Sequence, residues 1–192
     1  MKTIGLTGGI GSGKSVVSKL LETMGIPVYD SDKEAKRITS NSLVIQELLS
    51  KRFGSKLYPD GELNKSLLAS LIFSNEENLK FVNAIIHPEV QKDFINWKKL
   101  HSNYSFVVVE SAILFESGFD KIVDITINVS APLEKRIKRV QKRDLSNRES
   151  ILNRMNNQMS EEERIQKSNH TIINDDCQAL LPQAEYLLKQ LN

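Results

Sequence analysis

The stretch Gly8-Gly9-Ile10-Gly11-Ser12-Gly13-Lys14-Ser15 satisfies the pattern G-x-x-x-x-G-K-[ST], and what flanks it decides how a chain like this begins to fold. Before it, Thr3 to Thr7 is a short apolar run of strand length. After it, Ser15 to Met24 carries apolar residues at helical spacing. Gly25 closes that helix, and Ile26 to Tyr29 forms a second short strand that ends at Asp30. Two strands joined by a helix make a βαβ unit. The sheet is therefore parallel and the class α/β.

Three more strands follow from the pattern. Phe106 to Glu110 is a continuous β-branched run, as expected of a strand buried on both faces, and Ile122 to Val129 is another. His170 to Ile173 is the last. Helices are expected over Ala131 to Val140 and Ala179 to Leu191. Between Ser31 and His101 no core strand is visible, only helical patterns at Ile45 to Phe53, Lys65 to Phe73 and Glu77 to Ile86, with a turn signature at Pro59-Asp60-Gly61. This segment reads as a mostly helical insertion into one interrupted domain with five sheet strands.

With 192 residues, 40% of them hydrophobic and 26% charged, the chain is long enough for one substantial core. Its 26 basic and 24 acidic residues nearly balance, so no overall field points to nucleic acid or an anionic membrane as partner, and phosphate recognition has to be local. No apolar run approaches the length of a membrane span, and Met1 to Leu6 leads straight into the glycine-rich stretch without a secretory leader. The single cysteine, Cys177, has no internal disulfide partner and no metal-spaced neighbours; a half-buried structural thiol in a reducing cytoplasm fits it. A cytoplasmic protein is expected.

In the glycine-rich loop, backbone N–H groups converge on phosphate oxygens, and the helix N-terminus adds its partial positive charge. Gly9 to Val16 form the nucleotide cradle. Lys14 supplies an ammonium for the β- and γ-phosphates, and the Ser15 hydroxyl is suited to ligate Mg²⁺ bridging them. The motif alone does not separate kinases from GTPases or mechanical ATPases.

Phosphoryl transfer needs a base for the acceptor hydroxyl. Asp30 and Asp32 stand at the C-terminal end of the second strand, on the phosphate-loop side of a parallel sheet, and in extended backbone their side chains point the same way. Capping of the helix that starts near Lys33 accounts for one of them; their position and pairing favour a catalytic or metal-shell role for at least one. Glu110, at the end of the buried strand, is placed for the outer shell of Mg²⁺.

Six of the eight arginines lie between Arg136 and Arg164. Arg139 and Arg143, four apart, share a helix face and can grip one polyanion on a segment that closes as a lid. Nearby glutamates make ordinary surface pairing the better reading for Arg148 and Arg164, and leave Arg154 open. Ser111 to Glu116 exposes Leu114 and Phe115 in what reads as a loop, which suits a ligand pocket. His87, before Pro88 at the end of the helical insertion, reads equally as a packing residue or a functional one.

Taken together these residues resemble the dephospho-CoA kinase family, in the same order over nearly the whole chain. Gly5 to Ser15 is similar to its opening signature and Asp30-Ser31-Asp32 to its Asp-x-Asp. His87-Pro88 resembles its His-Pro, Leu114-Phe115-Glu116 the end of its Pro-Leu-Leu-Phe-Glu segment, and Arg139, Arg143-Asp144, Arg154 and Gln158 its lid region. Ala112 stands where the family commonly has proline, Glu110 where aspartate is common, and Val16 where threonine is usual.

The resemblance implies a three-layer P-loop fold with a mainly parallel five-stranded sheet. Its core would comprise residues 1–38, 104–138 and 168–192, with a helical substrate-binding insertion over about 39–103 and a small helical lid over about 139–167. It implies ATP and dephospho-CoA as partners and Mg²⁺ as cofactor, in a monomer or weak homo-oligomer. Asp32 would be the base, Arg143 would stabilise the transferring phosphoryl group, and Arg139 would lie against the nucleotide. Asp30, His87, Leu114, Phe115 and Glu116 would line the acceptor site. A P-loop kinase for another nucleotide, nucleoside or sugar is the nearest rival, and a non-catalytic nucleotide sensor a further one. A GTPase switch needs a guanine-reading Asn-Lys-x-Asp, and Asn64-Lys65-Ser66-Leu67 lacks the aspartate.

Overall fold

A computed structural model describes residues 1–73 and 75–191. The chain divides into two compact units, one of residues 1–30 with 101 onward, the other of Ser31–Leu100.

The first unit is built on five parallel strands: β1 (Lys2–Thr7), β2 (Val28–Asp30), β3 (Phe106–Glu110), β4 (Ile125–Ser130) and β5 (His170–Ile173), in spatial order β2-β3-β1-β4-β5. All five residues of β3 are buried, which is why its sequence is continuously apolar until Glu110. β4 starts three residues later than the apolar run implies, because Phe119–Lys121 forms a 3₁₀ turn and Asp124 clasps β1 from just ahead of the strand. Its carboxylate accepts from Thr3 N–H at 2.6 Å, and its own N–H donates to the Thr3 carbonyl at 2.9 Å.

Helix α1 (Lys14–Thr23) returns the chain from β1 to β2 and ends at Gly25, whose φ of +81° lets Ile26 N–H fold back onto the Leu21 carbonyl. Ile4, Leu6, Val17, Leu21, Val108, Ile127, Val129 and Ile172 form the main core, joined by Ala184 and Leu187 of the closing helix α9 (Leu180–Leu191). After β4 come α6 (Leu133–Asp144), α7 (Arg148–Asn156) and α8 (Glu161–Lys167). The side chains of Asn147 and Ser160 cap the last two by accepting from Ser150 N–H and Glu163 N–H. A smaller apolar cluster of Ile137, Val140 and Ile151 takes in Ile10 of the glycine-rich loop.

The second unit contains α2 (Ser31–Asn41), α3 (Leu43–Phe53), α4 (Lys65–Phe73) and α5 (Glu76–Leu100). Residues 31–38, which the sequence assigns to the core, are thus part of a helix packed with α5 in this unit. The Tyr58 hydroxyl donates to the Thr39 carbonyl at 2.7 Å, and burial pushes it up to about 12. Helix α5 corrects the expected end near Ile86. It runs through Pro88 for 25 residues, because Val82, Val90 and Phe94 keep a buried stripe at helical spacing across the proline.

Candidate active site

The glycine-rich loop leaves β1 after Thr7 and enters α1 at Lys14, at the carboxyl edge of the sheet. Strand order reverses here, with β3 on one side of β1 and β4 on the other, which is where open parallel sheets bind ligands. Gly13 sits at φ +91° ahead of α1 and has no side chain to cap it, so no side-chain oxygen meets the first N–H groups of α1, an arrangement that suits an anion. A Cβ at Gly13 would also stand 2.0 Å from Asn174 Nδ2, which donates to the Ser12 carbonyl at 2.8 Å and holds the loop from the end of β5. Not every amide of the cradle is available to phosphate. Ile10 N–H donates to Gln158 Oε1 at 2.9 Å, Ser12 N–H to the Gly9 carbonyl and Val16 N–H to the Gly13 carbonyl.

Lys14 Nζ lies 2.5 Å from Glu110 Oε1, with both side chains largely buried. Register places Glu110 beside Leu6 on one flank and Asp30 on the other, so two acidic residues end adjacent strands next to the motif lysine. Ser15 is exposed. The Ser15 hydroxyl and the Glu110 carboxylate are hard oxygen donors of the kind magnesium takes. No group of three or more His, Cys, Asp or Glu is placed to hold a metal among the described residues; an ion shared with substrate phosphates needs no such group.

Asp32 is not in extended backbone. Helix α2 already begins at Ser31, and Asp32 with Glu34 is in its first turn, where a carboxylate complements the helix dipole. The expectation that Asp30 and Asp32 point the same way along a strand is therefore corrected. Asp30 ends β2 in the first unit; Asp32 belongs to the second, as does His87, which burial pushes below the usual histidine value.

Arg139 and Arg143 also part company. Arg139 Nη1 donates to the Ser12 carbonyl at 3.2 Å, and its Nη2 to the Asn174 carbonyl at 2.9 Å and to Asp176 at 2.6 Å, so this guanidinium braces the loop. Arg143 is exposed and forks onto Asp144 at 2.6 and 3.1 Å; Arg154 binds the same carboxylate at 2.8 Å, and the two hold Asp144 well below the usual carboxylate range. The four-residue spacing gives one face, but the partners on that face differ. Arg148 pairs with Glu134 at the surface, as expected.

Arg164 overturns its expected surface role: it is 1% exposed and, with buried Arg136, meets Glu161 beneath the loop. Neither arginine is foreseen from the pattern. The available signal was the three-residue spacing of Arg136 and Arg139, which lets both reach the loop from α6. Leu114 is likewise not an exposed pocket residue. It is fully buried, and a Cβ on Gly5 would stand 2.9 Å from its Cδ2, so Leu114 fills the room that the glycine leaves over β1. Phe115 is half-buried, with Lys167 Nζ 6.0 Å from its ring centroid, and the exposed Glu116 accepts from Met159 N–H at 3.3 Å.

Residues 2–179 match the family described as dephospho-CoA kinase. The chain belongs to the dephospho-CoA kinase family. A dephospho-CoA kinase from Bacteroides fragilis is 46% identical over 180 residues, 94% of this chain and 88% of that protein. A crystal structure from Thermus thermophilus superposes with a TM-score of 0.81 at 36% identity, covering 99% of this chain and 95% of the other. The dephospho-CoA kinase of Campylobacter jejuni shares the fold, with a TM-score of 0.68 at 23% identity over 98% of this chain and 94% of its own. The family is one of kinases, so the chain is a transferase built on the P-loop kinase fold. Among the described residues no helix is long and apolar enough to cross a membrane.

Proposed function

We propose that the protein transfers the γ-phosphoryl group of ATP to the ribose 3′-hydroxyl of dephospho-CoA, giving coenzyme A and ADP, the last step of coenzyme A synthesis, in the cytoplasm. The observation that carries this reading is the phosphate loop with Lys14 set against Glu110 at the strand-order reversal, in a chain whose relatives are named for this reaction.

In this reading the backbone N–H groups of Gly11, Gly13, Lys14 and Ser15 hold the ATP phosphates, and the Lys14 ammonium follows charge onto the β,γ-bridging oxygen. Arg139 steadies the loop from below and flanks the nucleotide. Ser15 and, farther out, Glu110 would hold Mg²⁺, which when bound would supply neutralisation of phosphate charge. Asp32 takes the proton of the 3′-hydroxyl as its oxygen bonds to the γ-phosphorus and the bond to the bridging oxygen of ADP breaks. Arg143, released from Asp144, stabilises the phosphoryl group in flight. Residues 139–167 act as the lid, and Asp30, His87, Phe115 and Glu116 receive the acceptor.

The test is incubation with Mg-ATP and a panel of dephospho-CoA, AMP, CMP, adenosine and gluconate, with products located by phosphorus NMR. A new 3′-phosphomonoester on dephospho-CoA alone is expected. Reaction of another acceptor with dephospho-CoA left untouched refutes the assignment.

A further inference from the structure

Beneath the phosphate loop lies a charged trio, two buried arginines and a partly buried glutamate, to which the reaction assigns no part. Arg136 on α6 is 7% exposed and Arg164 on α8 only 1%. Both donate to one oxygen of Glu161, at 3.3 and 3.0 Å, while Asn128 on β4 donates to the other at 3.1 Å. Arg164 also reaches the Met159 carbonyl at 2.6 Å. Arg136 Nε donates to the Ile10 carbonyl at 3.0 Å, and Gln158 accepts the Ile10 N–H at 2.9 Å. Both polar backbone atoms of one loop residue are thus held, one from α6 and one from the segment leading into α8.

A largely buried trio of this kind is a poor device for stability, since desolvation offsets most of the Coulomb gain and apolar replacements often do as well. Its geometry suits a different task. Two arginines against the Glu161 carboxylate leave the trio itself with one unit of positive charge, which the neighbouring Glu162 offsets in part, and guanidinium groups do not deprotonate in proteins. That charge favours a polyanion on the loop's other side.

We propose that Arg136, Glu161 and Arg164 are positioning residues that set the Gly9–Ile10 backbone for a nucleotide's phosphates and tie α8 to the loop, so that phosphate binding and the order of α8 rise together. The inference rests on the nucleotide-binding part of the function proposed above. Hydrogen exchange of the wild-type protein with and without ADP tests the tie directly: peptides spanning residues 159–167 gain protection along with those spanning 8–15. Protection confined to 8–15 overturns the inference and leaves the nucleotide reading intact; no change in 8–15 defeats both.

Variants test the positioning. Arg164→Met, and the apolar trio Arg136→Met, Glu161→Leu, Arg164→Met, are expected to weaken binding of a fluorescent ADP analogue by about tenfold. The apolar trio keeps a cooperative melt near that of the wild type. A folded variant with wild-type affinity means that the trio is only structural.

Discussion

At the end of β3 a glutamate reaches Lys14 at 2.5 Å, and the contact illustrates how much a single side chain's surroundings add to its type. Lys14 and Ser15 are legible in the sequence because the motif fixes identity and spacing together. Leu114 is not, because its burial depends on Gly5, a residue more than a hundred positions away that has no side chain to occupy the space. Leu114→Ala is accordingly expected to destabilise the protein by about 2–5 kcal/mol, the range for a truncated core leucine, measured by denaturant unfolding. Asp32 tests the chemistry instead. Asp32→Asn should keep nucleotide affinity and lose turnover by about 10²-fold or more, the scale of lost general-base help, read from steady-state kinetics beside nucleotide titration. Normal turnover would make Asp32 a residue that serves only the first turn of α2.

Elements were legible where one pattern dominates. β1, β3 and β5 lie where their apolar runs place them, and α9 comes within a residue of its expected start. The departures have local causes. α7 buries only Ile151, and α8 only Arg164, too little for periodicity to reveal, although Asn147 and Ser160 are ordinary helix-capping residues in the sequence. The helical pattern is read only as far as Ile86, yet α5 continues through Pro88, because tertiary burial of Val90 and Phe94 outweighs one missing backbone donor. That donor's absence remains a cost. Pro88→Ala restores a donor for the Ala84 carbonyl and should raise stability by up to about 3 kcal/mol, seen as a higher denaturant midpoint. An unchanged or lower midpoint would mean that α5 is shaped around the ring.

For the whole molecule, the βαβ reading from the first thirty residues reached the correct parallel architecture because helical crossovers leave few alternatives. The buried arginines stayed hidden, since charge in a sequence does not announce where a carboxylate from a distant helix will meet it. Stability as a function of pH is a property of the same scale. Burial lowers His87 below its ordinary 6.5, so the unfolded chain binds the proton more readily than the folded one. The contribution from neutral His87 is complete above that value and is lost as pH falls through 6.5 toward the folded-state value. The melting temperature of the wild type should therefore fall more steeply between pH 7 and pH 5, roughly the window in which an ordinary histidine charges, than that of His87→Gln. Parallel curves would assign the acid sensitivity elsewhere.

Gly9 occupies one of the four unspecified places in G-x-x-x-x-G-K-[ST], where any side chain satisfies the pattern. A Cβ there would stand 2.3 Å from Arg136 Nη2 and 3.1 Å from Arg164 Nη1, and both guanidinium groups are pinned by Glu161. The freedom that the pattern grants is withdrawn from underneath. In a library randomised at position 9 glycine is the residue that survives, and alternatives become available when position 136 is randomised with it, so the two sites vary as one.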